Sequence, residues 1–376
     1  MKKNGYILFA SLFLCSCASG QRSIVVENTT AKNRKAEIVE VKVADLKAGF
    51  DKKTYVLKNA DQKEVPYQLV YGENKKPQYL LFQASVNANS VNTFTLSEGK
   101  PSAVEPRTSA RFVPERKDDF AWENDLAAYR MYGPALANEN PSNGVDIWLK
   151  RTSQLVVDKR YRDELQNGIT YHVDHGDGLD CYKVGHTLGA GGIAPYVDDK
   201  LWIGNHYDSY KVFENGPLRS TFELTYDSVV VGKNIYKQII RISTDAGKML
   251  NKAVVRYEGA KQTMKLAGGI FLHDGKGSLK VMPEKGFIAY AENAVSDAGL
   301  PSGRNYIGVF IPDKKTESTK DSSHILLSAD YIAGDEFTYY FGGGWSKWGY
   351  ANDNEWFKAM ETFTESVKHP LKVSVK

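Results

Sequence analysis

The run Ile235-Tyr-Lys-Gln-Ile-Ile-Arg-Ile242 decides the fold class of this chain. Isoleucine and tyrosine favour the pleated, half-buried surface of a β-strand. Three further strand-like runs are Ser228-Val-Val-Val231, Ile307-Gly-Val-Phe-Ile311 and Phe337-Thr-Tyr-Tyr-Phe341. Because strands dominate this part of the chain, we predict an all-β protein with a large β-sandwich catalytic domain over residues 107–376.

The segment before the sandwich also consists of strand-like runs. They are Ser23-Ile-Val-Val-Glu27, Ala36-Glu-Ile-Val-Glu-Val-Lys-Val43, Val65-Pro-Tyr-Gln-Leu-Val70 and Tyr79-Leu-Leu-Phe82. Short strands without helices between them predict a small N-terminal β domain over residues 23–100. Pro101 and Pro106 indicate a linker between the two domains.

One helix is predicted near the C-terminus, over residues 353–367. Asp353 can cap its first turn, and one face carries Trp356, Met360, Phe363 and Val367. Pro370 ends the helix, and residues 371–375 are expected to form a last strand.

The N-terminus predicts export. Lys2 and Lys3 precede an apolar run over residues 6–14, which is too short to span a bilayer. The run ends near Cys17, so we predict a lipoprotein signal peptide over residues 1–17 and a membrane anchor on acylated Cys17. An ordinary cleaved secretory signal is the alternative. The neutral-to-basic residues 18–22 favour an outer-membrane lipoprotein that faces the periplasm.

Composition limits the partners of the chain. The net charge is +4, and the basic residues are scattered, so nucleic acid is not expected as a partner. Cys181 is the one cysteine after residue 17, so an internal disulfide is not expected. The 22 tyrosines and 6 tryptophans are typical either of sugar-binding surfaces or of strands.

The densest polar stretch covers residues 171–186, with three histidines and three aspartates. Histidine exchanges protons near neutral pH, and lysine or tyrosine does so when its pKa is shifted. The alternative is a solvated turn with surface histidines. The catalytic candidates here are Tyr171, His172, His175, Lys183 and His186.

The same stretch offers weak candidates for a divalent metal site. His172 and His175 with Asp174 could bind a transition metal, although a helical zinc motif is missing. Oxygen ligands for calcium could come from Asp174, Asp177 and Asp180, although they do not match an EF-hand loop. We expect that no cofactor is required, and a divalent metal stays an open alternative.

A second cluster covers residues 122–134. Arg130 could bind a substrate carboxylate, because a guanidinium pairs with a carboxylate in a bidentate fork. The alternative is an internal Arg–Glu pair. The other substrate-binding candidates are Trp122, Glu123, Tyr132, Asn205, His206 and Arg219.

These residues carry a resemblance to a known family. The segments concerned are Trp122-Glu-Asn-Asp125 through Tyr132-Gly-Pro134, Tyr171-His172 through Lys183-Val-Gly185, Asn215-Gly-Pro-Leu-Arg219, and Tyr339-Tyr-Phe-Gly-Gly-Gly-Trp345 with its following helix. The sequence resembles the domain-of-unknown-function 4861 family of exported Bacteroidetes polysaccharide-utilisation proteins. The resemblance covers nearly all of the mature chain. It implies a galactose-mutarotase-like super-sandwich and, from some relatives, an oligosaccharide dehydratase, but it assigns no catalytic residue.

The leading hypothesis is therefore an enzyme that acts on acidic oligosaccharides by β-elimination. It would remove water from a non-reducing-end uronate and leave a 4,5-unsaturated sugar. We expect Arg130 to bind the substrate carboxylate and His172 or His175 to act as base. The acid or orienting group would be Tyr171, Lys183 or His186.

Two alternatives stay open. A glycoside hydrolase would use paired carboxylates about 5 to 10 Å apart, with Glu123 or Asp125 opposite Asp174 or Asp177. A non-catalytic glycan-binding lipoprotein would present exposed aromatic side chains without a converging acid and base.

Overall fold

The computed structural model describes residues 21–138 and 144–376. The predicted signal peptide and Cys17 lie outside these residues. Within the described ranges, none of the helices is both long and apolar enough to cross a membrane.

The N-terminal domain consists of two small sheets around one core. Its strands are β1 Arg22–Asn28, β2 Arg34–Lys42, β3 Tyr55–Lys58, β4 Tyr67–Tyr71, β5 Pro77–Val86 and β6 Ser90–Glu98, and helix α1 is Val43–Leu46. One sheet has the order β2-β5-β4, and the other contains β1, β6 and β3. The alternating residues Ile24 and Val26 of β1 are fully buried, as are Leu80 and Phe82 of β5. The period-two pattern of the sequence therefore forms this core.

The large domain contains three antiparallel sheets. Its strands are β7 Thr108–Val113, β8 Asp119–Asn124, β9 Ala127–Met131, β10 Asp146–Lys150, β11 Gly178–Asp180, β12 Ala190–Val197, β13 Lys200–Leu201, β14 Ser209–Asn215, β15 Arg219–Val231, β16 Asn234–Asp245, β17 Leu250–Glu258, β18 Met264–Phe271, β19 Ser278–Met282, β20 Phe287–Val295, β21 Pro301–Phe310, β22 Glu317–Lys320, β23 His324–Tyr331 and β24 Phe337–Trp345. The eight-stranded sheet has the order β14-β15-β16-β17-β24-β21-β20-β19. The two five-stranded sheets have the orders β11-β10-β9-β8-β7 and β13-β12-β18-β23-β22.

Both five-stranded sheets pack against one face of the eight-stranded sheet. Phe120 and Trp122 of β8 meet Phe222 of β15, with ring centroids 4.4 and 5.1 Å apart. The second five-stranded sheet approaches so closely that a Cβ on Gly268 would lie 2.8 Å from a Val309 methyl carbon. The prediction of an all-β protein with a large sandwich is confirmed, and the layers have the super-sandwich form that the resemblance implied.

Helix α3, Asp353–Lys368, covers the opposite face of the eight-stranded sheet. The buried residues Trp356 and Met360 lie in one cluster with Tyr306 of β21, as the apolar spacing predicts. The predicted cap is wrong by one residue. Asn352, which is extended at φ −157° and ψ 169°, accepts the hydrogen bond from the Glu355 amide. Asp353 is already helical, and its carboxylate binds Arg304 instead.

Helix α2, Val157–Asn167, was not predicted from the sequence. The residue before it, Val156, has no side chain that can cap the helix. The carboxylate of Glu123 on β8 accepts the amide hydrogens of Val156 and Val157 at 2.8 to 2.9 Å. Because this cap comes from a distant strand, a local sequence pattern could not reveal it. Three short 3₁₀ turns also occur, at Pro114–Arg116, Pro134–Leu136 and Pro283–Lys285.

The C-terminal strand β25, Lys372–Val375, returns to the N-terminal domain. It pairs antiparallel with β1, with Ile24 opposite Val375. The range 107–376 therefore ends in a strand that belongs to the N-terminal sheet. A second connection between the domains is ionic, because Arg219 of β15 pairs with Glu40 of β2 at 2.6 Å.

Candidate functional site

A cavity of about 450 Å³ lies at one edge of the super-sandwich and combines acidic and basic side chains. It opens between the chain that follows β11, the loop after β18 and the hairpin that joins β20 to β21. Its charged and hydrogen-bonding lining residues are Cys181, Lys183, His273, Asp274, Lys276, Glu292, Asn293, Ser296, Asp297 and Asn305. Another cavity, of about 480 Å³, lies between the domains, but its lining contains no histidine, lysine or arginine. Two further cavities, of about 350 and 540 Å³, also combine acidic and basic side chains, but neither lining contains a histidine. Proton transfer near neutral pH therefore favours the first cavity.

His172 lies next to Asp297, which lines this cavity, and is held in one tautomer. Its Nδ1 lies 3.0 Å from the backbone oxygen of Asp180. A carbonyl oxygen accepts but cannot donate, so Nδ1 carries the hydrogen and Nε2 is the basic nitrogen of the neutral ring. The carboxylates of Asp180 and Asp297 lie 3.6 and 3.7 Å from Nδ1. The side chain is 31% exposed, so a substrate can reach it.

Lys183 places a cation beside this histidine. Its ammonium lies 3.8 Å from Asp297, whose other carboxylate oxygen faces His172. The Lys183 side chain is 75% exposed and lines the cavity. An approaching anion can therefore replace part of the solvent around the ammonium.

His273 and Glu292 form a close pair in the cavity wall. The Nδ1 atom of His273 lies 2.9 Å from the Glu292 carboxylate, and its Nε2 lies 2.9 Å from the backbone oxygen of Lys183. Glu292 is on β20 and is 4% exposed. The backbone of His273 has φ +35°, which is uncommon for a residue other than glycine.

A buried ionic cluster lies beneath His172, with Arg130 at its centre. The guanidinium is 2.6 Å from Asp146, 3.0 Å from Asp180 and 3.5 Å from Asp119. Burial raises the pKa of Asp180 well above its usual value, and Asp146 adds to this effect. Burial likewise raises the pKa of Asp119 to about 6, although Arg130 opposes the shift.

This cluster does not support the expected role of Arg130 as a substrate clamp. The residue is 2% exposed, and its guanidinium already binds carboxylates of the protein itself. Its partners are aspartates, not the glutamate of the internal-pair alternative. Tyr171, 4% exposed, accepts a hydrogen bond from Arg130 at 3.1 Å, and the Tyr132 ring stacks 4.8 Å from the guanidinium. Both tyrosines therefore pack in the cluster instead of facing the cavity.

Trp122 and Glu123 are buried away from the cavity. Trp122 stacks on Tyr129 with ring centroids 5.5 Å apart, and its indole donates to Asn251. Glu123 pairs with Lys150 at 2.8 Å and caps helix α2. Their burial explains why neither offers a surface to a sugar.

The other candidates do not converge on the cavity. Arg219 binds Asp245 at 2.5 Å and Glu40 across the domains. His175 is exposed, and its Nε2 contacts the Thr170 backbone oxygen. His186 and Asn205 are also exposed to solvent, whereas His206 is buried and only 7% exposed.

The metal candidates and the predicted hydrolase pairs have other partners. Asp174 binds Arg151 and two backbone amides, and Asp177 binds Lys159. Asp180 faces Arg130. Within residues 21–138 and 144–376, no group of three or more potential ligands is placed to hold a metal ion. Of the proposed hydrolase carboxylates, Asp125 is bound to Arg107 at 2.5 Å.

Glu292, Asp297 and Asn305 are not among the candidates predicted from the sequence. One signal was available for Glu292. The strand Phe287-Ile-Ala-Tyr-Ala-Glu-Asn-Ala-Val295 is apolar except for the adjacent glutamate and asparagine, and a charge in a buried strand needs a partner or a function. Asp297 lies in a polar hairpin, where its sequence context carries no signal.

Comparisons with known proteins agree with this architecture. "Uncharacterized protein P7" of Formosa agariphila is 29% identical over 395 residues, which cover 98% of each chain. An α-mannosidase from Enterococcus faecalis has a TM-score of 0.51 at 9% identity, and a protein in glycosyl hydrolase family 38 from the same species has a TM-score of 0.50 at 10% identity. Each match covers 95% of this chain but 46% and 47% of the two longer chains, and at this identity it shows the fold alone. The profile of the domain of unknown function DUF4861 matches residues 26–373, and the chain therefore belongs to this family.

Proposed function

We propose that the protein is a carbohydrate-active enzyme that eliminates water from the non-reducing-end uronate of an acidic oligosaccharide. The observation that carries this proposal is the position of His172. Its basic Nε2 is oriented by the hydrogen bond from Nδ1, and its neighbour Asp297 lines the cavity together with the Lys183 cation. The occurrence of the fold in an α-mannosidase supports a carbohydrate substrate.

Elimination next to a carboxylate first requires a cation and a base, and Lys183 and His172 can supply them. A cation must neutralise the substrate carboxylate so that the hydrogen on C5 becomes acidic, and Lys183 can do this. A base must then take that hydrogen as a proton, and His172 can do this near neutral pH. Asp297 lies near both side chains, 3.7 Å from His172 and 3.8 Å from Lys183.

The shape of the site favours the end of a sugar chain. A cavity of about 450 Å³ falls within the usual range for small-molecule sites. The β20–β21 hairpin, with Asp297 and Gly299, forms one of its walls. We therefore propose short oligosaccharides as substrates and internal positions of a polymer as poor ones.

A glycoside hydrolase is the second candidate, because one specific observation favours it. Glu292 and Asp297 are two carboxylates that line the same cavity. Paired carboxylates are what hydrolysis of a glycosidic bond uses. The two reactions differ in their products, since hydrolysis shortens the sugar and creates no double bond.

The experiment is to incubate the purified protein with uronate-terminated oligosaccharides. Elimination gives new ultraviolet absorbance from the conjugated double bond and a mass loss of one water. We expect His172→Gln to abolish both signals, while the matched control His175→Gln, on the exposed part of the same loop, keeps them. Shortened sugars without new absorbance would show that hydrolysis is the reaction. Binding without any product would favour a glycan-binding protein.

We also propose that the chain is anchored outside the cytoplasm through acylated Cys17 and faces the periplasm. Such an anchor places the enzyme where imported oligosaccharides arrive. Labelling with a radioactive fatty acid tests this, and Cys17→Ser should abolish the label. A Cys17→Ser protein that still carries the label would contradict the proposal.

A further inference from the structure

We propose that Glu292 is the general acid of the elimination and that His273 supplies its proton. This inference rests on the proposed function, which leaves the leaving oxygen without an assigned proton donor. The acid candidates from the sequence do not suit this role well. Tyr171 is bound to Arg130 beneath the site, and Lys183 is the cation assigned to the substrate carboxylate.

Hydrogen-bond chemistry requires a proton between His273 and Glu292. The Nε2 atom of His273 faces the backbone oxygen of Lys183, which only accepts, so Nε2 must carry a hydrogen. The Nδ1 atom faces the Glu292 carboxylate at 2.9 Å. A neutral ring and an ionised carboxylate would place two acceptors against each other. The pair is therefore stable with one more proton, either on Nδ1 or on the carboxyl group.

The position of this proton suits transfer to a substrate. Both residues line the cavity, but both ring nitrogens of His273 already face hydrogen-bond partners, the Lys183 backbone oxygen and the Glu292 carboxylate, so the glutamate is the member that can pass a proton onward. Glu292 lines the cavity, as Lys183 does. The His273 ring is also fixed by Phe271 and Tyr182, with ring centroids 4.3 and 4.8 Å away. Such fixed geometry is what general acid catalysis requires.

The complete step balances in atoms and electrons. Nε2 of His172 removes the hydrogen of C5 as a proton, and the electron pair of that bond forms the C4–C5 double bond. The C4–O bond breaks, and the leaving oxygen takes the proton of Glu292 and departs as water. Loss of this shared proton leaves an ionised Glu292 beside a neutral His273. Solvent then restores the shared proton to the pair and removes the one on His172.

Titratable and charged groups surround the pair on each element that packs against it. They are Lys183, Cys181 and Tyr182 after β11, Asp274 and Lys276 after β18, Tyr290 on β20 and Asp297 in the hairpin. Burial raises the pKa values of Cys181 and Tyr182, so neither is ionised near neutral pH. The acidic and basic groups that remain are partly or largely exposed to solvent, which screens their effect on the pair.

The test separates proton donation from every structural role by changing the leaving group. Fluoride departs as an anion and needs no acid, so a 4-deoxy-4-fluoro uronide serves as a second substrate beside the 4-hydroxy compound. We expect Glu292→Gln to lose at least about 100-fold in kcat with the hydroxyl substrate and to stay within about threefold of the wild type with the fluoride. Retained fluoride elimination also proves that the variant is folded. His172→Gln should lose activity with both substrates.

His273→Gln gives a second readout. With the hydroxyl substrate, the alkaline limb of the wild-type pH profile should shift in this variant, while the fluoride reaction keeps its profile on that limb. Equal losses with both substrates in Glu292→Gln, or no loss with either, would overturn the assignment of the acid. A wild-type protein that eliminates neither water nor fluoride would overturn the proposed function itself, so the two failures are distinguishable.

Discussion

Replacing Arg130 by methionine tests whether this residue stabilises the fold or binds substrate. Methionine keeps much of the side-chain volume but removes the charge that Asp119, Asp146 and Asp180 share. Arg116, 3.9 Å from Asp119, remains as a cation beside the cluster. Removing one partner from a buried ion pair typically costs about 3–5 kcal/mol, because the remaining charge has neither water nor a partner. We expect the free energy of unfolding to fall by about that amount.

Urea unfolding, followed by tryptophan fluorescence, measures this loss directly. Trp148 is a suitable reporter, because its ring lies 5.1 Å from the guanidinium. The matched control is Arg241→Met, which removes an arginine whose side chain is 47% exposed and whose partner is Glu223. An exposed pair contributes little, so we expect this control to change the free energy of unfolding by less than about 1 kcal/mol.

One outcome would refute the structural role. If Arg130→Met unfolds within about 1 kcal/mol of the wild type while the KM for an acidic oligosaccharide rises, the guanidinium binds substrate and the buried cluster opens in solution. A loss of stability as large as predicted, with the remaining folded protein still binding substrate, supports the arrangement described above.

Three further predictions concern stability. Glu123→Gln leaves Lys150 buried without its carboxylate and weakens the cap of helix α2. We expect the free energy of unfolding in urea to fall by about 3–5 kcal/mol. Unchanged stability together with weaker sugar binding would instead support the predicted substrate-binding role of Glu123. The pKa of Asp119 is about 6 in the fold against an ordinary value of 3.8, so its stabilising contribution is complete below 3.8 and is lost as pH rises through 6. Relative to the wild type, Asp119→Asn should therefore gain about 2 kcal/mol between pH 4 and pH 8, and parallel stability curves for the two proteins would contradict this. Removing the chain from Lys372 onward exposes the edge of β1, and we expect faster hydrogen exchange at its amides, with unchanged exchange as the contrary result.

The strands and the C-terminal helix could be predicted because their signals are local. Alternating apolar residues such as Ile24 and Val26 lie on one face of a strand, and this pattern does not depend on which element packs against that face. The spacing of Trp356, Met360 and Phe363 does the same for a helix. Helix α2 could not be predicted in this way, since its N-terminal cap is Glu123, which lies more than 30 residues earlier in the chain.

The candidate site was predicted in part. His172 and Lys183 were named from the polar stretch; Lys183 lines the cavity, and His172 lies 3.7 Å from Asp297 in the cavity wall. Arg130 was chosen for its charge, but charge alone does not reveal burial, and the residue lies within an ionic cluster. Glu292 and Asp297 come from a hairpin more than 100 residues after the polar stretch, so only the approach of β20 and its hairpin to the chain after β11 brings them to His172 and Lys183.

The sequence by itself determined the all-β class, the C-terminal helix and the stretch that carries the histidine, because strand and helix periodicities and residue types act over a few neighbouring positions. Only the tertiary structure decided which polar residues are buried partners and which face the cavity. The tautomer of His172 depends on the backbone oxygen of Asp180, and the shared proton of His273 depends on Lys183 and Glu292. Protonation and burial are set by atoms within a few ångströms in space, and the fold brings those atoms from distant parts of the chain.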